Sequence, residues 1–282
     1  MTGPASAPVI VVGCHKGGIG RTVLAVNLAA MLALSGRRTL LIDLDQKGDA
    51  TASVGLPRAR GGKSLARFSE PWSFLKDTFN APAPPGLDVW PGGPGIERIQ
   101  REMGAGAKLD LLERGLTQAR RRYRAVVIDA PSELGPLARN ALVSGDVLLL
   151  PVSPKAHVEQ ALGETIRAAL EVRQDTCVYG VRVESRAPRA EEELADRQEE
   201  EQEPVSGREG PFGVDLLECT ICYDADTFED AAQQGRPVFE AAPHSRAARC
   251  FLELGREVLS LLDGTHPHAH IQPAEGASTA QG

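Results

Sequence analysis

Short apolar runs alternate with longer amphipathic segments along most of this chain of 282 residues. An apolar run of about four to eight residues is typical of a strand buried on both faces, whereas apolar positions three and four apart predict a helix. The predicted strands span residues 9–12, 38–42, 87–91, 125–129, 147–152, 177–183 and 214–223. The predicted helices span residues 23–34, 96–103, 109–123, 158–172 and 245–262. Strands and helices in this alternation indicate an α/β protein.

The length suits one large domain with a well-buried core, or at most two small ones. We expect a disordered leader at residues 1–8, a single domain at 9–263 and a disordered, polar tail at 264–282. Residues 56–106 are mixed and rich in proline and glycine, and within them only the strand at 87–91 and the helix at 96–103 are predicted. Residues 186–210 are the most polar part of the chain and predict a solvated helix and loop.

Charge and cysteine content narrow the class of protein. The formal net charge of −7 argues against a strongly basic surface that coats nucleic acid, although a local basic patch is compatible with it. The five cysteines are scattered and odd in number, so they indicate no disulfide framework and favour a reducing cytoplasm. Neither a signal peptide nor an apolar run of membrane-spanning length is apparent, so we expect a cytoplasmic protein.

The stretch 13–22, Gly-Cys-His-Lys-Gly-Gly-Ile-Gly-Arg-Thr, joins the first predicted strand to the first predicted helix. This context predicts a phosphate-binding loop, because a curled glycine-rich backbone points several N–H groups at one anion beside a helix N-terminus. Thr22 stands where a hydroxyl would bind Mg²⁺. The common pattern GxxxxGK[ST] is broken twice, since His15 replaces its first glycine and Arg21 replaces its lysine.

A second lysine position distinguishes this loop, because Lys16 precedes the Gly17-Gly18 pair. With that lysine the loop resembles the deviant Walker A loop of the ParA/MinD family of ATPases. In that family the early lysine reaches across a nucleotide-sandwich dimer to the phosphates bound by the partner, and the resemblance gives this role to Lys16. The nucleotide-binding residues that the resemblance implies are Lys16, Gly17, Gly18, Ile19, Gly20, Arg21, Thr22 and Val23.

The second predicted strand is followed by Asp43-Leu-Asp45-Gln-Lys-Gly-Asp-Ala-Thr51, which resembles switch I of that family. Acids at the carboxyl end of a parallel strand face the crevice where such sheets bind ligands. The second acid of switch I positions or activates the attacking water, and the resemblance assigns this role to Asp45. Together with Lys16 and Arg21, Asp45 forms the expected catalytic set. Taken alone, the two acids would be interpreted as solvated residues at a strand end, and this alternative stays open.

The apolar run 125–129 ends in Asp129, as expected of a Walker B strand whose carboxylate holds the shell of a Mg²⁺ ion. The residues that follow, up to Asn140-Ala-Leu, are similar to switch II of the same family. The expected metal-binding residues are therefore Thr22, Asp129 and Asp45, and the expected cofactors are ATP and Mg²⁺.

Other motifs leave two interpretations open. Gly235-Arg-Pro-Val238 resembles a further segment of the family, but Asp226 stands where DNA-binding members carry an arginine. An acid repels phosphate, so DNA binding stays uncertain. The basic run 120–122 is better explained as the complement of a helix dipole than as a phosphate-contacting patch. The single CxxC at 219–222 favours packing cysteines over a zinc or redox site.

The four resembling segments occur in the order of the family. They imply an α/β fold, namely a doubly wound, mainly parallel sheet with helices on both faces. They also imply a slow ATPase that binds ATP with Mg²⁺ in a homodimer and positions a cargo such as a plasmid, a chromosome or a protein cluster. A separate, ParB-like activator is the expected second partner, and the tail lacks the basic, apolar helix that lies on membranes. Because arginine does not replace lysine equivalently in a tight loop, Arg21 supports an alternative, a nucleotide-binding dimerisation switch or scaffold with little or no hydrolysis.

Overall fold

One eight-stranded sheet organises the part of the chain that the computed structural model describes, which is residues 6–13, 18–59, 65–104, 108–153, 156–185 and 210–264. The strands are β1 (Val9–Val12), β2 (Thr39–Asp43), β3 (Phe79–Asn80), β4 (Leu87–Trp90), β5 (Ala125–Asp129), β6 (Val147–Val152), β7 (Cys177–Ser185) and β8 (Asp215–Tyr223). Their order across the sheet is β3-β4-β2-β5-β1-β6-β7-β8. The β3–β4 pair is antiparallel, and the other neighbouring pairs are parallel.

Within the same residues the helices are α1 (Arg21–Leu34), α2 (Asp49–Ser53), α3 (Leu65–Ser69), α4 (Pro71–Lys76), α5 (Gly95–Met103), α6 (Leu111–Leu116), α7 (Ala119–Arg122), α8 (Pro136–Ser144), α9 (Ala156–Val172), α10 (Ala225–Gln233), α11 (Val238–Ala241) and α12 (Arg246–Leu262). A short 3₁₀ turn, Pro211–Gly213, precedes β8. None of the described helices has the length and apolar character needed to cross a membrane.

Helices cover both faces of the sheet, as the predicted doubly wound fold requires. Successive strand residues point to opposite faces. In β1, Val9 and Val11 therefore pack into a core with α3 to α9, whereas Ile10 and Val12 pack into a second core with α1, α10, α11 and α12. All four residues are buried, which explains why the run is apolar without alternation. The predicted fold class is confirmed.

The carboxyl ends of three adjacent strands meet at one point of the sheet edge. In the parallel register, Asp129 of β5 lies beside Val12 of β1 on one side and beside Asp43 of β2 on the other. The chain leaves β1 there to form the glycine-rich loop and α1. The register therefore brings three predicted site segments together, although they are distant in sequence.

The structure differs from the predicted elements in several places, and α2, α8, α10 and α11 form where no helix was predicted. The single helix predicted at 109–123 is two helices, α6 and α7, separated by a turn in which the Thr117 hydroxyl donates to the Arg114 carbonyl. Residues 65–80, where no element was predicted, form α3, α4 and β3. There the Phe74 ring stacks on Trp90 at 5.0 Å between centroids, and the Phe68 ring meets Trp90 edge-on. These contacts with β4 order a segment whose own sequence has no helical or strand periodicity.

The first arginine of the basic run 120–122 is structural. Arg120 donates to the Asp146 carboxylate at 2.7 Å and to the backbone carbonyls of Ala7 and Ser144 at 3.0 and 2.8 Å. Its side chain is only 13% exposed, so it cannot reach a phosphate in solvent. The Ala7 N–H donates to the Arg120 carbonyl in turn, and Ala7 is buried. Ordered contacts therefore begin before β1, while residues 1–5 and 265–282 lie outside the described residues.

Candidate functional site at the carboxyl edge of the sheet

The glycine-rich loop connects β1 to α1 as predicted. Gly18 and Gly20 have φ angles of +77° and +84°. These angles lie in the left-handed region, which is sterically unfavourable for residues that have a side chain. The Gly20 carbonyl accepts the first helical hydrogen bond, from Leu24 N–H at 2.8 Å, so α1 begins directly behind the loop. Ile19 packs against one core and Val23 against the other, so the predicted loop residues anchor both layers. Lys16 and Gly17 lie outside the described residues, and their predicted roles stay predictions.

Four predicted site residues meet at the start of α1. The Thr22 hydroxyl donates to Asp129 Oδ2 at 2.8 Å. The guanidinium of Arg21 lies between two acids, with Nε 3.4 Å from Asp129 Oδ1 and one terminal nitrogen 3.7 Å from Asp45 Oδ2. Arg21, Thr22, Asp45 and Asp129, taken from three different segments, therefore form one cluster at the mouth of the loop.

Asp129 is the most buried acid of this cluster. Its side chain is fully buried, and burial raises its pKa to about 7, although the positive charge of Arg21 and the hydrogen bond from Thr22 favour the ionised form. Within the described residues, Asp129 Oδ1 accepts no hydrogen bond. A buried carboxylate oxygen that lacks a donor is suited to face a cation.

A magnesium ion fits this donor set. Mg²⁺ is held in nucleotide sites by one or two carboxylates together with phosphate and water oxygens, so a full cage of protein ligands is not needed. Thr22, Asp129 and Asp45 supply a hydroxyl and two carboxylates. In agreement with this sparse set, the described residues contain no group of three or more His, Cys, Asp or Glu arranged to hold a metal alone.

Asp43 has a structural role that the sequence did not distinguish from that of Asp45. Asp43 is fully buried, its Oδ2 accepts from both the N–H and the hydroxyl of Thr51, and its Oδ1 accepts from Asp45 N–H at 3.0 Å. The Thr51 hydroxyl also accepts from Gly92 N–H at 2.8 Å. Burial raises the pKa of Asp43, and the two hydrogen bonds from Thr51 oppose that change. A Cβ at Gly92 would lie 2.3 Å from Asp43 Cγ, so this position requires glycine.

Asp45, in contrast, remains partly accessible, with 16% of its side chain exposed. Its carbonyl accepts from Gly48 N–H at 3.1 Å and from Gly93 N–H at 2.9 Å, which holds the turn after β2 against the loop after β4. The interpretation of Asp43 and Asp45 as a pair of solvated strand-end acids is therefore wrong. Asp43 anchors residues 43–51, and Asp45 faces Arg21 of the glycine-rich loop.

A cavity of about 450 Å³ lies at the carboxyl ends of β7 and β8. Gly20 of the glycine-rich loop lies near the end of β7, since a Cβ at Gly20 would be 3.7 Å from Val183. Residues that line the cavity include Glu184, Tyr223, Asp224, Thr227 and Arg246. The Tyr223 ring is itself stacked on Phe228 at 5.2 Å, which gives this wall a rigid aromatic surface.

Two buried asparagines hold neighbouring segments together, and neither role was predicted from the sequence. Asn27 of α1 accepts from Val238 N–H at 2.7 Å, so it joins the Gly235–Val238 segment to the helix behind the loop. Asn140 of α8 accepts from the N–H groups of Leu111 and Leu112 at 2.9 and 3.2 Å, which satisfies the first turn of α6. Both residues are buried polar side chains in otherwise apolar helices, and that contrast is the signal from which a bracing role could have been predicted.

The two cysteines of the CxxC motif pack against the core around α12. Burial raises the pKa of Cys219 to about 12 and that of Cys222 to about 11. The Cys219 thiol donates to the carbonyl of Cys250 at 3.1 Å. Protonated, hydrogen-bonded thiols agree with packing cysteines rather than with metal ligands or reactive nucleophiles.

Comparison with known proteins gives one family match and many similar chains. A family model described as an AAA domain matches residues 7–177. The sporulation initiation inhibitor protein Soj of Bacillus subtilis is 27% identical over 263 residues, which cover 89% of this chain and 97% of that protein. The chromosome-partitioning ATPase Soj of Thermus thermophilus is 30% identical, over 87% of this chain and 93% of that protein.

Solved structures show the same fold at lower identity. A cobyrinic acid a,c-diamide synthase from Mycobacterium smegmatis with bound ADP and magnesium has a TM-score of 0.69 at 20% identity, covering 95% of this chain and all of that one. The septum site-determining protein MinD of Pyrococcus horikoshii, complexed with Mg-ADP, has a TM-score of 0.66 at 19% identity, covering 93% of this chain and 99% of that one.

Proposed function

Because the chain belongs to the ParA/MinD family of P-loop ATPases, we propose that it is a ParA-like ATPase that binds ATP with Mg²⁺ in a sandwich homodimer and hydrolyses it slowly. The hydrolysis would position or partition a cargo, namely a plasmid, a chromosome or a protein cluster. The observation that carries this proposal is the cluster of Arg21, Thr22, Asp45 and Asp129 at the mouth of the glycine-rich loop. A separate, ParB-like activator protein is the second partner in this proposal.

Each residue of the cluster has a distinct role in the proposal. Thr22 and Asp129 hold Mg²⁺, with Asp45 as a further carboxylate near it. The metal neutralises charge on the phosphate oxygens when it is bound. Arg21 grips phosphate through its planar guanidinium, and Asp45 orients the attacking water, since it is the acid that keeps partial contact with solvent. Backbone N–H groups of residues 18–23 would surround the phosphates, and the proposal assigns Lys16 of a second copy to the same phosphates.

The cavity at the ends of β7 and β8 suits the base of the nucleotide. Its volume of about 450 Å³ exceeds that of a purine ring, and Tyr223 contributes an aromatic wall. In open α/β sheets ligands bind outside the carboxyl ends of the strands, and this cavity lies at that edge.

One observation favours the alternative, a nucleotide-dependent dimerisation switch or scaffold with little or no hydrolysis. Arg21 lies within ion-pair distance of Asp45, the acid assigned to the attacking water. A carboxylate that is held by a fixed cation is less free to orient water. The alternative predicts the same nucleotide binding and the same dimer, but a background rate of phosphate release.

Steady-state phosphate release separates the two functions. We expect Asp45→Ala to lower the rate at least tenfold while ATP binding, measured by calorimetry with Mg²⁺ present, changes little. Asp49→Ala is the matched control, because Asp49 is an exposed acid of the same segment that pairs with Arg58. Equal, background-level rates for the unmodified chain and Asp45→Ala would refute the ATPase and leave the switch.

Sedimentation velocity tests the sandwich dimer. The unmodified chain should dimerise with ATP and Mg²⁺ and remain monomeric without nucleotide. Lys16→Ala should bind ATP with similar affinity but fail to dimerise, because the proposal places this amine on the partner's phosphates. Unchanged self-association of Lys16→Ala would contradict the sandwich arrangement, and a lack of ATP binding by the unmodified chain would overturn the proposed function altogether.

A further inference from the structure

Arg21 contacts two carboxylates with two different nitrogens. Its Nε faces Asp129 Oδ1 at 3.4 Å, and a terminal nitrogen faces Asp45 Oδ2 at 3.7 Å. The planar fork of a guanidinium allows this with two separate nitrogens, whereas a lysine would have to reach both acids with one. Only 7% of the Arg21 side chain is exposed, so the interaction is shielded from solvent.

The same contacts cover the atoms that a metal would need. Asp129 has one oxygen engaged by the Thr22 hydroxyl and the other facing the Arg21 guanidinium. Asp129 is fully buried, and Arg21 lies between it and Asp45. A divalent cation entering between the two carboxylates would therefore meet a fixed positive charge within about 4 Å, and in a shielded site that repulsion is large.

We propose that Arg21 is the internal counter-cation of the Asp45–Asp129 pair and excludes a free divalent cation from it, so that metal is admitted together with nucleotide rather than ahead of it. Arg21 is thus a specificity-determining residue of the metal site. The proposal rests on the proposed function only for the assignment of Thr22 and Asp129 to the metal. Its basis is the arginine at a position where the common loop pattern has lysine, together with the bridging geometry of that arginine.

Titration with Mn²⁺ in the absence of nucleotide tests this inference directly, because free Mn²⁺ is measured by electron paramagnetic resonance. The unmodified chain should show no site with a dissociation constant below about 1 mM, and Arg21→Gln should gain one at least tenfold tighter. The double variant Arg21→Gln with Asp129→Asn should lose the gain, since the gained site depends on Asp129.

Arg120→Gln is the matched control. Arg120 is also a largely buried arginine between two acids, Asp146 and Glu113, but it lies at the opposite edge of the sheet. If loss of one positive charge from an acid pair were sufficient, Arg120→Gln would gain Mn²⁺ equally, and that result would overturn the assignment to Arg21. Equal Mn²⁺ affinity of Arg21→Gln and the unmodified chain would also overturn it.

A second variant keeps the test decisive if Arg21→Gln does not fold by circular dichroism. Arg21→Lys retains the charge but lacks the second nitrogen with which Arg21 faces the other acid, and it should gain Mn²⁺ affinity by about threefold. No gain in that folded variant would refute the inference. Nucleotide binding is measured separately, so a chain that binds no ATP while Arg21→Gln gains Mn²⁺ would overturn the proposed function and leave this inference standing.

Discussion

Replacing Thr51 by valine removes the hydroxyl that connects Asp43, at the end of β2, to Gly92 in the loop after β4. Thr51 is fully buried, its hydroxyl donates to Asp43 Oδ2 at 2.7 Å, and the same oxygen accepts from Gly92 N–H at 2.8 Å. Valine has nearly the same shape, so the substitution leaves packing in place and isolates the two hydrogen bonds. After the change, a buried carboxylate has one donor fewer and a buried N–H has no acceptor.

The expected destabilisation is the sum of two losses. A hydrogen bond to a charged group contributes about 1.5–3 kcal/mol, and a buried N–H left without an acceptor costs about 1–3 kcal/mol. We therefore expect Thr51→Val to lower the free energy of unfolding by about 3–5 kcal/mol. For a domain of this size, about 2–4 °C of melting temperature corresponds to each kcal/mol, which gives a decrease of about 6–20 °C.

Thermal unfolding followed by circular dichroism measures the effect, with Thr39→Val as the control. Thr39 is equally buried and lies in β2, the strand that ends in Asp43, but its hydroxyl donates to one neutral acceptor, the Arg37 carbonyl. The control should lose only about 0.5–1.5 kcal/mol. A loss for Thr51→Val no larger than that of Thr39→Val would refute the account of Asp43 as a buried, hydrogen-bonded anchor.

The pH dependence of the difference has a definite sign. The Thr51 hydrogen bonds favour ionised Asp43, so the pKa of Asp43 in the folded state rises further when the hydroxyl is lost. Above that pKa the variant must bury an Asp43 carboxylate that has one hydrogen-bond donor fewer. Below it Asp43 is protonated, so the difference in free energy of unfolding between the variant and the unmodified chain becomes smaller. The difference in stability should therefore be larger at pH 8 than at pH 5.

Three further predictions concern other parts of the molecule. Burial and the hydrogen bond to Asp88 raise the pKa of Tyr123 to about 12, so the folded state keeps a proton that the unfolded state releases above pH about 10. Stability should fall by up to about 2–3 kcal/mol between pH 10 and 12, and urea unfolding of Tyr123→Phe should lack that fall. Asn140→Ala leaves two buried N–H groups of α6 without acceptors and should cost about 2–4 kcal/mol in the same assay, whereas Asn→Ala at an exposed site would cost little. Asp226 is exposed in the first turn of α10, and Asp226→Arg should increase binding to nonspecific duplex DNA several-fold in a gel shift at low salt, with the gain lost as salt rises. An equal gain at high salt would show that the added contact is not to phosphate.

The elements around the candidate site could be predicted from sequence because each is specified locally. A buried parallel strand is a contiguous apolar run, and β1, β5 and β6 begin and end within one residue of their predicted bounds. The glycine loop and the helix behind it also follow from adjacent residues. Segments such as α3 and β3 could not be predicted in this way, because their order comes from contacts with Trp90 and β4, which are distant in sequence.

The different environments of Asp43 and Asp45 illustrate a second limit of prediction from sequence. Alternation places Asp43 and Asp45 on one side of the strand, but it carries no information about which carboxylate the rest of the chain satisfies. That choice is made by Thr51, whose hydroxyl donates to Asp43 and in turn accepts from Gly92 N–H. For the same reason the ion pairs of Arg21 with Asp45 and Asp129 required the packed structure, although each residue had been assigned to the site.

The structure holds Asp43 and Asp129 in a different way from Asp45. Asp43 and Asp129 are fixed by parallel pairing of β2 with β5 and by complete burial, so neither can move without breaking the sheet. Asp45 lies beyond the end of β2, where its carbonyl is bonded to Gly48 and Gly93 and its carboxylate faces Arg21. Asp45 is therefore linked to Arg21 by an ion pair and to the loop before α5 by the hydrogen bond from Gly93 N–H. The site thus consists of two fully buried acids held by the sheet and one partly exposed acid that contacts both the arginine of the loop and a neighbouring segment.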